Sequence, residues 1–232
     1  MMARRGVLGL LSALAGGVVL GGCDLLGGGG YRYKMTVEVE TPEGLRQGHA
    51  VRQVSFYSRP QGVYGAKVQG EAVAVDLPGG QVLFALLSAA DGYPDYAAWI
   101  ADWALKRELK PGGANAGYDA GDFAELWPTQ AKTHNPIGQT RGPMLVRFHD
   151  LADPTSVEWV EAGDLAASFG PGVALKRVTV ERTSDAVTNH VSERLIWFNR
   201  YKNLQLDGRR YNDSQEFPNT FNRLNFSQGV VK

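Results

Sequence analysis

From Tyr31 to Glu40 the chain alternates strictly: Tyr31, Tyr33, Met35, Val37 and Val39 fall on one side, and Arg32, Lys34, Thr36, Glu38 and Glu40 on the other. A period of two is that of a half-buried strand. Thr41-Pro42-Glu43-Gly44 follows, with Pro where a turn wants a fixed φ and Gly where it wants freedom. The chain therefore reverses, and Gly48 to Ser58 (Val51, Val54, Phe56, Tyr57) returns as a second strand. A second β unit runs from Ala66 to Ser88, in which Val73, Val75 and Leu77 alternate before Pro78-Gly79-Gly80. Val82-Leu83-Phe84-Ala85-Leu86-Leu87 is apolar on both faces, the mark of a central strand covered on both sides. A helix over Asp95 to Leu109 is the predicted cover. Tyr96, Trp99, Ile100 and Trp103 recur at helical spacing, with Trp99 and Trp103 assigned to the core. Lys106, Arg107 and Lys110 suit the helix C-terminus, and Pro111-Gly112-Gly113 ends it.

Lys110 to Gly142 reads as a long irregular insertion, interrupted by a turn of helix at Asp122 to Trp127. Structureless connections beyond about 12–15 residues are uncommon inside compact domains and tend to carry function. Gly142 to Asp150 returns to strand (Met144, Val146, Phe148), and Asp153-Pro154 opens a turn before an extended piece at Val157 and Trp159. Asp164 caps a short helix through Phe169, stopped by Gly170-Pro171-Gly172, and Leu175 to Thr183 is a further strand. A last helix is predicted from Ser184 or Asp185, with Val191, Leu195 and Phe198 on one face. Beyond Lys202 apolar residues are isolated among Asn, Asp, Arg and Gln, so 202–232 reads as a polar, extended or partly ordered tail. Six to eight strands with early hairpins favour α+β: a mostly antiparallel sheet with three or four helices packed on it and the long insertion 110–142.

The residues before this domain have a different character. Arg4 and Arg5 give a positive start, Gly6 to Leu20 is uncharged and apolar, and Leu20-Gly21-Gly22-Cys23 closes the stretch. About 20 residues are needed to span a bilayer, and this run falls short, as a signal peptide does. The tetrad resembles the lipobox of bacterial lipoproteins of the Gram-negative type. That resemblance implies that Leu20, Gly21 and Gly22 are read by the lipoprotein signal peptidase, that Cys23 is lipidated (the step labelled palmitate reports), and that 1–22 is removed. The implied protein is anchored in the cell membrane facing the periplasm. Asp24 directly after the cysteine resembles an inner-membrane retention signal. Residues 23–30 then form a glycine-rich tether and 31–201 a single domain. Cys23 is the only cysteine, and a thioether to lipid spares it from pairing in an oxidising compartment.

Charge narrows the partners. Lys plus Arg number 24 against 24 Asp plus Glu, and losing Arg4 and Arg5 leaves 22 against 24, about −2. Nucleic-acid binding needs basic residues gathered on one face, and no such run exists. The sequence contains no Gly-x-Ser-x-Gly elbow, Walker loop, His-Glu-x-x-His or cysteine cluster, and it indicates no cofactor and no metal. The catalytic candidates that remain are weaker. Asp119, Asp122 and Glu125 recur every third residue beside Tyr118 and Trp127. Such carboxylates serve glycan chemistry or bind a divalent cation, and they equally decorate the start of a short helix. His134 lies with Asn135-Pro136 and Arg141 at the end of the same insertion. Asp150 and Asp153 beside His149 fit turn chemistry. His190 and Glu193 are one helical turn apart, and His49 has no companion. Trp127, Trp159, Trp197 and Tyr201 are not fixed by pattern. In the tail, Asn212, Asn219, Asn222 and Asn225 mix with Phe217, Phe221 and Phe226, as in a segment that orders on a partner. The expectation is a membrane-anchored, non-catalytic binding or scaffolding module with an envelope protein partner. An envelope glycan hydrolase using the insertion's carboxylates, or an immunity or inhibitor lipoprotein, is the alternative.

Overall fold

The computed structural model describes residues 29–58, 64–93, 95–109, 121–127 and 142–229. Among them are ten strands in two antiparallel sheets. The first sheet has the order β10-β3-β2-β1-β9-β6 and the second β4-β5-β7-β8. The alternating segment forms β1 (Gly30–Thr41), and Tyr33, Met35, Val37 and Val39 are fully buried. It pairs with β2 (Gly44–Ser58) through a two-residue turn, in which the Thr41 hydroxyl donates to the Gly44 carbonyl at 2.7 Å and Gly44 has φ +112°. β2 starts four residues before the predicted Gly48, because the ladder continues past the edge of the core and leaves Leu45 half exposed.

β3 (Tyr64–Glu71) passes into β4 (Val73–Asp76) with only Ala72 between them, so the chain turns the corner from one sheet to the other. Gly70 at φ +140° makes that bend, a region closed to other residues without strain. β5 (Val82–Ala89) is the central strand of the second sheet. Leu83, Ala85 and Leu87 enter a first core between the sheets, and Val82, Phe84 and Leu86 enter a second core on the far side. The dual burial expected from continuous apolarity is present, with two separate layers supplying the cover.

α1 (Tyr96–Leu109) fills one end of the first core, but not with its tryptophans. Ala97, Ala98, Ala101 and Ala104 let the helix approach the strands closely, beside the fully buried Ile100 and Leu105. Trp99 and Trp103 lie at the margin, partly buried, stacked near Phe56 and Tyr93 with centroids 5.4 and 5.7 Å apart. Asp122 to Trp127 is not a turn of helix. Phe123–Trp127 is β6, an outer strand that completes the ladder of β9 (Ala174–Arg182) and turns Ala124 and Leu126 inward. A hydrogen-bonding neighbour, invisible in the local sequence, overrode the three-residue spacing of the acids.

β7 (Pro143–Phe148) and β8 (Val157–Trp159) complete the second sheet, and the Asp164 carboxylate caps α2 (Leu165–Phe169) by accepting from Ala167 N. The helix predicted from Ser184 or Asp185 shrinks to α3 (Val191–Arg194), followed by tight turns. Val191, Leu195 and Phe198 are nonetheless buried together. Residues 183–190 cross to the other strands instead: Thr188 exchanges hydrogen bonds with Val51, and Glu71 accepts from the backbone N–H groups of His190 and Val191 at 2.6 and 2.7 Å. One fourteen-residue helix and two of five and four residues therefore stand where three or four helices on the sheet were expected, and the described chain is β-rich.

The polar C-terminal segment is not extended. Leu206, Phe221 and Phe226 are buried, and Ser227–Gln228 forms β10 beside β3. Phe84, Phe148, Trp197 and Phe226 meet with ring centroids 5.6–6.0 Å apart, in edge-on and tilted arrangements. Asn219, fully buried, spends its whole side chain on this layer: Oδ1 accepts from Asp213 N and Ser214 N, and Nδ2 donates to Asp207 and to the Tyr211 carbonyl. Asn222 and Asn225 cap each other's backbone reciprocally. The polar residues that predict an extended or partly ordered tail are the hydrogen-bonding frame of an irregular layer. No helix among the described residues is long and apolar enough to cross a membrane.

Candidate functional site

Leu20, Gly21, Gly22, Cys23 and Asp24 lie outside the described residues, as do Asp119, His134 and Arg141. Asp122 and Glu125 are described, and the fold separates them. The Asp122 carbonyl accepts from Arg182 N, and this position shares the inner side of the sheet edge with Arg182, whose guanidinium stacks 4.5 Å over Tyr31. Glu125 pairs with Thr179 on the outer side, within the field of Arg177. An acid and base acting on one glycosidic bond must flank it, and these two carboxyls face opposite ways.

Glu125 and His49 lie in one row on the outer face of the first sheet, with β1 and β9 between their strands. Here the β1–β9 register sets Lys34 opposite Glu181, Thr36 opposite Thr179, and Glu38 opposite Arg177, while β2 adds His49 and Gln47 beside Thr36 and Glu38. Lys34 bonds Glu181 at 2.9 Å and Arg177 bonds Glu38 at 2.6 Å. Hydrogen bonding to Glu38 holds the Arg177 guanidinium above its usual range. A shallow depression of about 370 Å³ runs across this ladder, and Phe123 stands 45% exposed at its side. Two ion pairs lie along the ladder with the carboxylates of Glu125 and Asp185 beside them, and the polar groups repeat at strand spacing. Such a face offers donors and acceptors to a partner, and among the described residues no hydrogen bond joins the Thr36 or Thr179 hydroxyl to His49.

A second polar group joins β7 to β8. Arg147 bonds Glu158 and the Ser168 carbonyl, and His149 Nε2 lies 2.6 Å from the other Glu158 oxygen. The two partners outweigh desolvation and hold Glu158 below the ordinary carboxylate range. Asp150 and Asp153 accept backbone N–H groups of their own turns, as expected of them. The Glu158 contact of His149 follows from pairing across a hairpin, which the local sequence does not announce.

A third group is wholly internal. Arg52, Tyr33 and Tyr96 are fully buried; Arg52 Nε donates to the Glu71 carbonyl and Nη1 to the Tyr33 oxygen, which itself donates to Ala97 O at 2.7 Å. Among the described residues, Arg52 Nη2 and the Tyr96 hydroxyl have no hydrogen-bond partner. The one visible sign of this cluster in the sequence was Arg52 at the inward phase of β2, between Ala50 and Val54.

Among the other aromatics, Trp197 is buried and donates to the Leu151 carbonyl, with Tyr201 edge-on against it, while Trp159 is half exposed. His190 precedes α3, its N–H bound to Glu71. Among the described residues no group of three or more His, Cys, Asp or Glu is placed to hold a metal. Comparison with protein-family models, with curated proteins and with solved structures gives no match.

Proposed function

We propose that this chain is a lipid-anchored, periplasm-facing module of a bacterial envelope that binds another envelope protein through the outer face of its first sheet. The observation that carries the binding reading is the ladder Lys34–Glu181, Thr36–Thr179 and Glu38–Arg177 with Phe123 at its margin. It is a broad, ion-paired, hydrogen-bonding surface with an exposed aromatic ring at its margin, able to anchor a partner. By strand register Asp122 and Glu125 fall on opposite faces, which weighs against that pair as the acid and base of a glycan hydrolase. Anchoring rests on the Leu20-Gly21-Gly22-Cys23 tetrad after its charged and apolar leader, with Asp24 favouring the inner membrane.

Two measurements test this. Palmitate labelling of cells is expected to mark the wild-type protein and not Cys23→Ser. A photo-reactive amino acid at position 123 or 49 is expected to capture one reproducible envelope protein, and the same probe at Leu224, on the C-terminal layer, is not. Muropeptide turnover by the purified protein, without a captured partner, would overturn the binding reading.

A further inference from the structure

We infer that the end of the sandwich where β1 begins rests on the phospholipid headgroups, with Tyr57 and the cleft between Lys67 and Asp95 as the contact surface. This rests on the anchoring proposed above and adds an orientation to it. Residues 24–28, five in all, separate Cys23 from Gly29, the first described residue. Five residues cannot reach beyond about 17 Å even when fully extended. The Gly29 carbonyl accepts from Phe56 N, and Gly30 is in register with Ser55 and Ser55 with Lys67. The ends of β2 and β3 are therefore level with the tether and cannot rise more than that reach above the lipid.

The chemistry at this rim suits its place. Tyr57 extends past Gly30 along β2 and is 39% exposed, the amphipathic type enriched at membrane–water interfaces. Behind it Tyr31, Phe56 and Trp99 stack with centroids 5.4–6.0 Å apart, giving a rigid aromatic base. Tyr57, Lys67 and Asp95, with Ala98 of α1 and Gln228, line a cleft of about 320 Å³. An ammonium and a carboxylate on one cleft match the phosphate and the amine of a phosphoethanolamine headgroup. At the other end of β2, about 40 Å away at strand rise, the hairpin with Leu45 points to the aqueous side. The strands then stand upright on the membrane and the outer face of the first sheet looks sideways, open to a partner in the same leaflet.

Cys23 is the only cysteine, so its thiol couples specifically in vitro to a maleimide-bearing phosphatidylethanolamine, which reproduces the tether whether or not cells lipidate it. The chain from Cys23 to Lys232, coupled in this way in phosphatidylethanolamine/phosphatidylglycerol nanodiscs doped with a gadolinium-headgroup lipid, is read by amide relaxation. The expected result is strong broadening at Tyr57, Lys67 and Asp95 and none above background at Leu45. In Tyr57→Ser/Lys67→Glu the rim broadening is expected to fall at least threefold with an unchanged melting temperature. Tyr57→Ser alone serves as the milder second variant. Equal broadening in wild type and double variant means the tether alone holds the rim near lipid and overturns the docking surface; so does broadening at Leu45 as strong as at Tyr57. An intact mass without acyl chains on protein extracted from cells refutes the anchor separately, leaving the coupled-protein result to decide the surface.

Discussion

Tyr33→Phe and Tyr96→Phe delete the same atom from two fully buried tyrosines, and the structure assigns them opposite consequences. The Tyr33 hydroxyl donates to Ala97 O at 2.7 Å and accepts from Arg52 Nη1 at 3.3 Å. Removing it loses a bond worth about 1 kcal/mol net and strands a buried guanidinium N–H at a further 1–3 kcal/mol or so, for a total of about 2–4 kcal/mol. Arg52 Nη2 is already unpartnered, so the guanidinium would retain only its bond to Glu71 O. For a domain near 200 residues each kcal/mol moves Tm by about 2–4 °C, so a drop of about 4–16 °C is expected. Among the described residues the Tyr96 hydroxyl has no hydrogen-bond partner, and its removal relieves a desolvation cost, leaving stability unchanged or raised by about 1 kcal/mol. Urea unfolding followed by tryptophan fluorescence measures both. A loss on Tyr96→Phe as large as that on Tyr33→Phe would refute the reasoning, because it would mean that the Tyr96 hydroxyl is hydrogen-bonded.

Alkaline pH tests the same cluster: burial, partly opposed by Arg52, raises Tyr33, and burial raises Tyr96 well above the ordinary tyrosine range. Since the folded pKa exceeds the unfolded one, their stability is intact below about pH 10 and declines above it by about 1.4 kcal/mol per pH unit per group. In absorbance at 295 nm, tyrosinate formation by these residues is expected to coincide with unfolding, and the slope is expected to lessen in Tyr96→Phe. At acid pH, hydrogen bonding to Arg194 outweighs desolvation and lowers Asp76, so its contribution is present above the ordinary carboxylate pKa and lost as pH falls through the depressed value. Asp76→Asn is expected to flatten that limb of an acid titration. Gly48→Ala would overlap the Ala74 carbonyl oxygen and bring Cβ within 2.8 Å of its carbon, wedging the sheets apart at a cost of about 1–3 kcal/mol in a thermal melt. Phe226→Ala removes a ring from the second core and is expected to cost about 3–5 kcal/mol with a red shift of Trp197 emission, whereas a loose tail would give neither.

Strand periodicity made β1 legible, and continuous apolarity marked β5 as buried on both faces, because alternation records how many sides of a strand are dry. Proline, glycine and aspartate likewise placed the turns at Thr41–Gly44 and Asp153 and the cap at Asp164, since these residues act on their own neighbouring backbone. What contact across the chain alone decides was hidden. β6 is a strand because β9 offers it a ladder, and the tail is a layer because Phe226 reaches Phe84 and Asn219 finds four partners. Arg52 is internal because the chain turns a corner above it at Gly70. Asp122 and Glu125, three residues apart, look like neighbours on paper, and a period of two sends them to opposite faces. Local sequence thus determined which backbone shapes were affordable and which side chains sought burial. The tertiary structure decided which surfaces meet, because the partners that satisfy a strand edge or an isolated ring lie tens to more than a hundred residues away, and even the buried amide of Asn219 needs a loop folded back on itself.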